Sequence, residues 1–143
     1  MLVSQILAQK GAAVFACSPQ ETIAAAAERL NEHHIGAMVV LDQKDNVAGI
    51  ISERDIIRAI AQAGAAALSS PVASCMTRDI VYAEPKESID ALLSRMTDRR
   101  IRHLPVCKDG KLIGVVSIGD LVKSRIAETE AEAEGLKAYI AQG

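Results

Sequence analysis

Hydrophobic positions along the chain follow helical spacing twice. Pro19 lies between Ser18 and Glu21, a pattern typical of a capping box with proline at the first helical position. The apolar residues that follow recur at intervals of three and four, at Ile23, Ala26, Ala27 and Leu30. The same arrangement returns at 84–87, with apolar residues at Ile89, Leu92, Leu93 and Met96. We therefore predict two amphipathic helices, beginning near Ser18 and Glu84.

Short apolar runs after each helix predict strands. Residues 37–41 and 47–51 surround a polar turn, and residues 104–107 and 112–116 surround another. Because these runs are continuous rather than alternating, we expect both faces of each small sheet to be covered. A further helix is predicted to begin at Ser52 and at Ser117. Short extended segments are predicted at 14–16 and 80–82.

The chain repeats itself. Residues 18–41 align with residues 84–107, so that Pro19 matches Pro85 and Arg29 matches Arg95. We predict an α+β (α/β) fold of two tandem β-α-β-β-α repeats, at 1–67 and 68–126, packed through their sheets about a pseudo-twofold axis. Residues 127–143 form a helical tail outside the repeat, whose acidic stretch is expected to end near Gly135.

Composition narrows the function classes. The 143 residues are 50% hydrophobic and 2% aromatic, with a net charge of −2, which argues against a polyanion binder and against nucleic acid as a partner. No apolar run is long enough to span a membrane. Three widely spaced cysteines, Cys17, Cys75 and Cys107, form no CxxC pair, and the first residues lack the features of an export signal. We expect a cytoplasmic protein with free thiols.

One motif occurs in both repeats: glycine, two aliphatic residues, serine, two residues and aspartate. The copies are 49–55 and 114–120. In one interpretation each serine and aspartate only cap a helix. In the other, the helix start and the serine hydroxyl bind phosphate while the aspartate accepts from ribose hydroxyls. The two interpretations are compatible, because one serine can do both.

The chain resembles a stand-alone pair of cystathionine-β-synthase (CBS) domains over residues 1–126. The resemblance rests on the tandem units, both copies of the motif, and the segments 52–57, 96–106 and 109–114. It implies a non-enzymatic regulatory module that binds an adenosine compound in two clefts between the repeats. AMP is the expected ligand, with ADP, ATP, NAD(H) or S-adenosylmethionine as alternatives, and no catalytic cofactor or metal is expected.

The resemblance also implies roles for individual residues. Asp55 and Asp120 would hold ribose hydroxyls, and Ser52 and Ser117 would contact phosphate or ribose. Arg54 lies inside the first motif and is placed to reach phosphate, whereas Gly119 occupies the matching place in the second motif and is not.

Residues at the start of the hairpins complete the implied site. Basic groups against phosphate would come from Arg100, Arg102 and His103, beside a cluster that also contains Arg95 and Arg99. Backbone groups at 35–38 and 102–104 would contact the adenine edge, which adds the positions Ala37, Met38 and Leu104.

The sequence departs from the family where threonine often contacts the base. Those positions are Ala16, which offers no side-chain hydrogen bond, and Tyr82, which is either an adenine-stacking ring or a bystander. We expect two inequivalent sites, the first of them weak or empty.

Three further questions stay open at this stage. The runner-up function is a ligand-free interaction module that docks a regulated partner protein through the tail or helical faces, and a third is a thiol or metal switch through Cys107 and the histidines. We expect His33 and His34 to lie at a solvated helix end, and Cys107 to be a small core residue.

Homodimerisation is expected through the helical faces Ile56, Ile57 and Ile60, and Leu121 and Val122. No GxSxG, P-loop or GxGxxG motif indicates catalysis.

Overall fold

Two compact units make up the structure. The structure, a computed structural model, describes residues 1–11 and 14–142. The described residues up to Val81, starting at Val14, form what we call the first-repeat unit. Residues 1–11 group with the residues from Tyr82 onward and form the second-repeat unit. The end of the predicted tail, Gly143, lies outside the described residues.

The first-repeat unit is a three-stranded sheet with helices. Its strand order is β1-β2-β3, in which β1 runs parallel to β2 and β2 antiparallel to β3. Its elements are β1 (Ala16–Cys17), α2 (Ile23–His33), β2 (Ala37–Leu41), β3 (Val47–Ser52) and α3 (Glu53–Ala63), followed by 3-10 turns at Gly64–Ser69 and Val72–Ser74. The first four residues of β2 are all buried, as expected for a strand covered on both faces.

The second-repeat unit repeats this plan with one change. Its elements are α1 (Val3–Lys10), α4 (Ile89–Arg99), β4 (His103–Lys108), β5 (Lys111–Ser117) and α5 (Ile118–Gln142). Strands β4 and β5 are antiparallel. In the place that β1 has in the other unit, Ala83 makes a single parallel bridge to Val106. The mixed fold with two repeats is therefore confirmed, while packing through the sheets and the pseudo-twofold axis stay predictions.

In each unit the repeat packs against a short segment that precedes the other repeat in the sequence. We call these the closing segments: residues 1–10 in the second-repeat unit and residues 70–77 in the first-repeat unit. Val3 donates its N–H to the Glu87 carbonyl at 3.0 Å, and Val72 donates to the Glu21 carbonyl at 2.8 Å. Both valines are fully buried. The segment before the first repeat therefore packs on the second repeat, and the segment before the second repeat packs on the first. The predicted boundaries at 1–67 and 68–126 mark sequence repeats, and the compact units cut across them.

The motif glycines make room for these closing segments. A Cβ on Gly49 would lie 2.8 Å from the Thr77 carbonyl oxygen, and a Cβ on Gly114 would lie 2.6 Å from Leu7 Cδ2. Thr77 and Ile50 also exchange both backbone hydrogen bonds, at 2.8 and 2.9 Å. Gly49 is therefore required by the adjacent backbone, whereas a Cβ on Gly114 would require the Leu7 side chain to shift.

The predicted starts of the first helix in each repeat were wrong. Helix α2 begins at Ile23 with Thr22 as its N-cap, and α4 begins at Ile89 with Ser88 as its N-cap. Ser18 instead donates its N–H to Glu21 Oε2 at 2.7 Å within a turn that precedes the helix. The Ser18 pattern resembles a capping box, but Thr22 is the residue whose hydroxyl accepts from a free helical N–H.

Other elements fall near their predicted places. The strand at 37–41 is confirmed, and the other three hairpin strands are one or two residues longer than predicted. Helix α1 was not predicted, and the short extended segments shift to β1 and to the bridge at Ala83. The helix that contains the acidic stretch does not end near Gly135, because α5 continues through it to Gln142. Of the helices that the structure describes, none is long and apolar enough to cross a bilayer.

Replacing Gly49 by alanine is predicted to destabilise the first-repeat unit. The new methyl group meets the Thr77 backbone, which cannot rotate away as a side chain can, so we expect a loss of about 1–3 kcal/mol in the free energy of unfolding. Urea denaturation followed by circular dichroism measures it. Gly119→Ala is the matched control, because its Cβ would lie 3.6 Å from Ser117 Oγ, an ordinary contact. An equal effect of both substitutions would contradict the prediction.

Removing the Lys10 ammonium is predicted to destabilise the protein more at neutral pH than in acid. Lys10 Nζ donates to the Val115 carbonyl at 2.8 Å and to Asp120 Oδ2 at 2.7 Å, which fastens α1 to the second repeat. Partial burial opposes the charged form of Asp120, but hydrogen bonds from Lys10 and Ser117 outweigh it and lower the pKa of Asp120. A lowered carboxyl pKa stabilises the fold above the unfolded value of about 3.9, and this contribution is lost as the pH falls through the folded pKa.

We therefore expect Lys10→Met to cost about 1 kcal/mol at pH 7, a figure reduced for the partial exposure of the pair, and less near pH 3, because the Asp120 contribution decreases below about pH 3.9. Urea denaturation at both pH values measures the difference. Lys86→Met serves as the control, because Lys86 is exposed and lies 3.9 Å from Glu84. A Lys10→Met penalty that persists unchanged at pH 3 would argue that the Asp120 charge plays no part.

Candidate functional site

In the first-repeat unit, the predicted residues Ser52 and Asp55 form a reciprocal cap at the start of α3. Ser52 Oγ accepts from the Asp55 N–H at 3.2 Å, and Asp55 Oδ2 accepts from the Ser52 N–H at 2.9 Å. The sheet register places Ala37 opposite Ser52 and Met38 opposite Ile51, so the start of β2 lies beside this cap. Four of the predicted first-repeat positions therefore lie at one end of the sheet.

The Asp55 carboxylate is buried and already engaged. Asp55 is 4% exposed. Its Oδ1 accepts from Thr77 Oγ1 at 3.2 Å and lies 3.4 Å from Arg58 Nη1, while Oδ2 also accepts from Ser52 Oγ at 3.0 Å. A ribose that binds this carboxylate would therefore have to replace donors that the protein itself supplies.

A cavity of about 300 Å³ opens next to Asp55. Its lining comes from α3 and from the closing segment, and includes Arg58, Gln62, Ser74 and Cys75. The cavity gives Asp55 a polar space on one side although the residue is almost fully covered. Its volume is at the lower end of the usual range for small-molecule pockets.

The second-repeat unit contains the same cap with a different neighbour. Ser117 Oγ accepts from the Asp120 N–H at 3.2 Å, and Asp120 Oδ2 accepts from the Ser117 N–H at 2.9 Å. Here Lys10 is the side-chain donor to the carboxylate. The Asp120 side chain is 26% exposed, so it is more accessible than Asp55.

The two copies of the motif differ in charge at the helix start. Arg54 is exposed in the first turn of α3, and Gly119 occupies the matching place in α5. A positive side chain at a helix N-terminus adds to the partial charge of the free N–H groups. The first copy therefore has a cationic side chain where the second has none, as the sequence predicts.

Basic residues lie at the start of β4 in the second-repeat unit. Arg100 ends α4 in the left-handed conformation, with φ of 55°, and Arg102 is exposed just before the strand. His103 is half-buried and pairs in register with Ser117, while the Arg102 carbonyl accepts from the Ile118 N–H at 2.8 Å. The structure thus places this basic segment beside the Ser117 cap.

Leu104 follows at a fully buried position, opposite Val116. Its side chain belongs to the core, and only its backbone is a candidate for ligand contact. Met38, at the equivalent position in the other unit, is likewise buried. The interpretation that these positions act through backbone groups fits their burial.

Ala16 and Tyr82 occupy equivalent positions and are held by equivalent arginines. The Ala16 carbonyl accepts from Arg29 Nη2, and the Tyr82 carbonyl accepts from Arg95 Nη1 at 3.0 Å. The Tyr82 ring is exposed. A ring in this position is accessible to a base, which leaves its proposed stacking role open to test.

Arg95 is committed within its own unit. Its guanidinium forms an ion pair with Glu87, and the hydrogen bond from Arg95 lowers the pKa of the Glu87 carboxyl. Arg29 pairs with Glu21 in the same way, at 3.1 Å. Arg95 is therefore a structural member of the predicted basic cluster rather than an available anion partner.

Sequence reasoning missed Lys10 and Thr77, which donate to the two motif carboxylates. Both come from the closing segments, which the repeat alignment did not include. Their apolar spacing is nevertheless equivalent: Val3, Ile6 and Leu7 in one segment, and Val72, Cys75 and Met76 in the other. Extending the repeat by this spacing would have placed both segments against the motif glycines.

The thiols and histidines form no site together. Burial raises the pKa of Cys17 to about 11 and also raises the pKa values of Cys75 and Cys107, which disfavours the reactive thiolate. His33 is exposed and stacks on Phe15 with ring centroids 3.9 Å apart. Within residues 1–11 and 14–142, no cluster of three or more His, Cys, Asp or Glu side chains is arranged to hold a metal ion.

Comparisons with known proteins agree with this architecture. A CBS-domain-containing protein from Agrobacterium tumefaciens is 42% identical in sequence, with a TM-score of 0.85 over 87% of this chain and 92% of that chain. A mitochondrial CBS-domain-containing protein from Arabidopsis thaliana is 37% identical over 131 residues, which is 89% of this chain and 64% of that protein. The chain thus spans less than two thirds of that relative's length.

A third similar structure contains ligands. The CBS domain pair of protein MJ0100, in complex with 5′-methylthioadenosine and S-adenosyl-L-methionine, is 26% identical, with a TM-score of 0.79 over 90% of this chain and 98% of that chain. The CBS domain family itself matches residues 4–62 and 72–127, which includes both copies of the capped motif. The chain belongs to the CBS domain family and contains two tandem CBS domains.

Proposed function

We propose that this protein is a non-enzymatic regulatory module that binds an adenosine compound at two sites, one for each copy of the motif. The observation that carries the proposal is the duplicated cap, in which serine, aspartate and a helix N-terminus converge in both units. The adenosine ligands of the related MJ0100 pair support the ligand class. AMP is the proposed ligand, with ADP, ATP and NAD(H) as alternatives.

The chemistry of the cap suits a ribose phosphate. A carboxylate accepts from both hydroxyls of a ribose, and free N–H groups at a helix start favour an anion. Ser52 and Ser117 add hydroxyl donors at those helix starts, and Arg54, Arg100, Arg102 and His103 add charge suited to phosphate. Aliphatic surroundings supply an apolar surface for the base.

The two sites are proposed to differ in affinity. Asp55 is almost fully covered and bonded to Thr77, whereas Asp120 is partly exposed and bonded to Lys10, a flexible surface side chain. A partly exposed carboxylate can reach a ligand with less rearrangement of its surroundings than one that is almost fully covered. Together with the small Ala16, this favours tighter binding at the Asp120 site.

Regulation follows if the ligand binds one arrangement of the protein better than another, because only that difference shifts the population. We propose that the module acts in the cytoplasm, as a homodimer, on a protein yet to be identified. The α3 face is partly suited to dimerisation, because Ile57 and Ile60 are exposed while Ile56 is buried. In α5 the predicted face reduces to Val122, because Leu121 is fully buried.

We expect wild-type protein to bind AMP, and Asp120→Asn to weaken that binding by about tenfold or more, because it removes the charge of the ribose acceptor. Isothermal titration with AMP, ATP and NADH measures the affinity and the number of sites. Asp55→Asn is expected to leave the tighter site intact, and the double variant to lose both.

Asp98→Asn is the control, because it removes an equal charge from an exposed position of α4 that belongs to neither motif. Circular dichroism confirms that each variant is folded. The proposal fails if wild type binds none of the three compounds or if the double variant binds as well as Asp98→Asn. Equal affinity at two sites would overturn only the proposed inequivalence.

A further inference from the structure

Helix α5 carries an apolar row, from Val122 to Ile140, that no other described residue of its unit covers. Leu121 and Ser124 are the buried residues of the helix, and every residue from Thr129 to Gln142 is exposed. Its last recorded anchors are ion pairs of Arg125 with Asp90 and of Glu128 with the Met1 amino group. An isolated helical stretch of this length is marginal in water, so an apolar face on it calls for a partner.

The row follows the spacing of a two-stranded coiled coil. Successive members are separated alternately by four and three residues, at Val122, Ile126, Thr129, Ala133, Leu136 and Ile140. In heptad terms Ile126, Ala133 and Ile140 take position a, and Val122, Thr129 and Leu136 take position d. The four large members are 44%, 53%, 61% and 67% exposed in chain order. This is a seam of average period 3.5 that is open along its whole length.

Charges beside the seam specify the occupant. In a parallel pair, residue g of one helix lies near residue e of the next heptad in its partner. That rule brings Glu132 next to Lys137 of the other helix, and Arg125 next to Glu130, so both pairs are of opposite charge. Arg125 also serves Asp90 and Glu128 in its own chain, which makes Glu132 with Lys137 the cleaner pair.

An antiparallel pairing of the same seam has the opposite electrostatics. With Ile126 facing Leu136, it would set Glu130 against Glu130 and Glu132 against Glu132 of the other helix. Like charges at these flanking positions disfavour that orientation. Between these two alignments, both of which use the full length of the seam, the flanking charges favour the parallel one.

We propose that residues 122–140 of α5 pair with the same residues of a second copy as a parallel two-stranded coiled coil. Thr129 and Ala133 contribute little apolar contact, so we expect the coiled-coil dimer to be weak. Gly135 lies at position c, away from the seam, where it costs helix stability without opening a gap. The proposal is independent of nucleotide binding.

A pair of alanines provides a matched test of the contact. Ala133 lies at position a and Ala131 at position f on the outer face, and both are exposed. We expect Ala133→Cys to form a disulfide-linked dimer under mild oxidation, because equivalent a positions meet in a parallel pair. Ala131→Cys, which keeps the same three native cysteines, is expected to crosslink no more than wild type.

Charge exchange tests the orientation. We expect Glu132→Lys and Lys137→Glu, each alone, to raise the dimer dissociation constant about tenfold at low salt, and the double exchange to restore it. Ala133→Ile is expected to lower that constant at least tenfold, and Ala131→Ile to leave it unchanged. Analytical ultracentrifugation measures all five variants, with circular dichroism as the check on helicity.

The proposal is overturned if Ala133→Cys crosslinks no better than Ala131→Cys. Failure of the double exchange to restore the affinity of the single variants would overturn the parallel orientation. A dimer that is indifferent to all of these substitutions places the interface elsewhere, and a partner of different sequence bound at the seam would likewise refute self-pairing. None of these outcomes depends on whether AMP binds.

Discussion

Both units depend on one constraint, the close approach of a closing segment to a glycine in the sheet. Gly49 lies against the segment ending at Thr77, and Gly114 lies against α1. The same segments bury Val72 and Val3 and complete the backbone hydrogen bonding of the turn before each helix. A sequence repeat is therefore not by itself a folding unit, because each repeat packs against a closing segment that precedes the other repeat in the sequence. The contact between Lys10 and Asp120, which closes the second-repeat unit, joins residues 110 apart in the sequence and is therefore non-local.

The two copies of the cap share a local conformation but have different neighbours. Serine and aspartate make nearly identical bonds to the backbone in both copies, so the local conformation is the same. What differs is the donor from the closing segment, a threonine hydroxyl for Asp55 and a lysine ammonium for Asp120. The lysine favours the ionised carboxylate directly through its charge and hydrogen bond. The two caps therefore diverge in the donors that the closing segments supply as well as at Arg54 and Gly119 within the motif.

Local patterns predicted the hairpins and the starts of α3 and α5, because continuous apolar runs and a serine cap act over a few residues. They misplaced the starts of α2 and α4, where two cap-like residues compete and only the backbone path selects Thr22 and Ser88. Gly135 did not end α5, since one glycine costs a helix only about 1 kcal/mol. The donors to Asp55 and Asp120 were beyond local reasoning altogether. Lys10 is separated from Asp120 by 110 residues, and no spacing rule connects two such positions.

Ligand recognition and closure of the units draw on the same atoms. The oxygens proposed to accept from ribose already accept from Ser52 and Thr77, or from Ser117 and Lys10. A bound ribose would gain only the difference between its own hydrogen bonds and those it displaces, which is small for neutral hydroxyl donors. The ribose contacts would therefore contribute about a tenfold part of the affinity, with the rest from the phosphate and the base, and they would also determine how far binding loosens a closing segment. Because linkage is reciprocal, an effector that binds and tightens that segment would lower the affinity for the ligand by the same factor by which the ligand lowers the affinity for the effector.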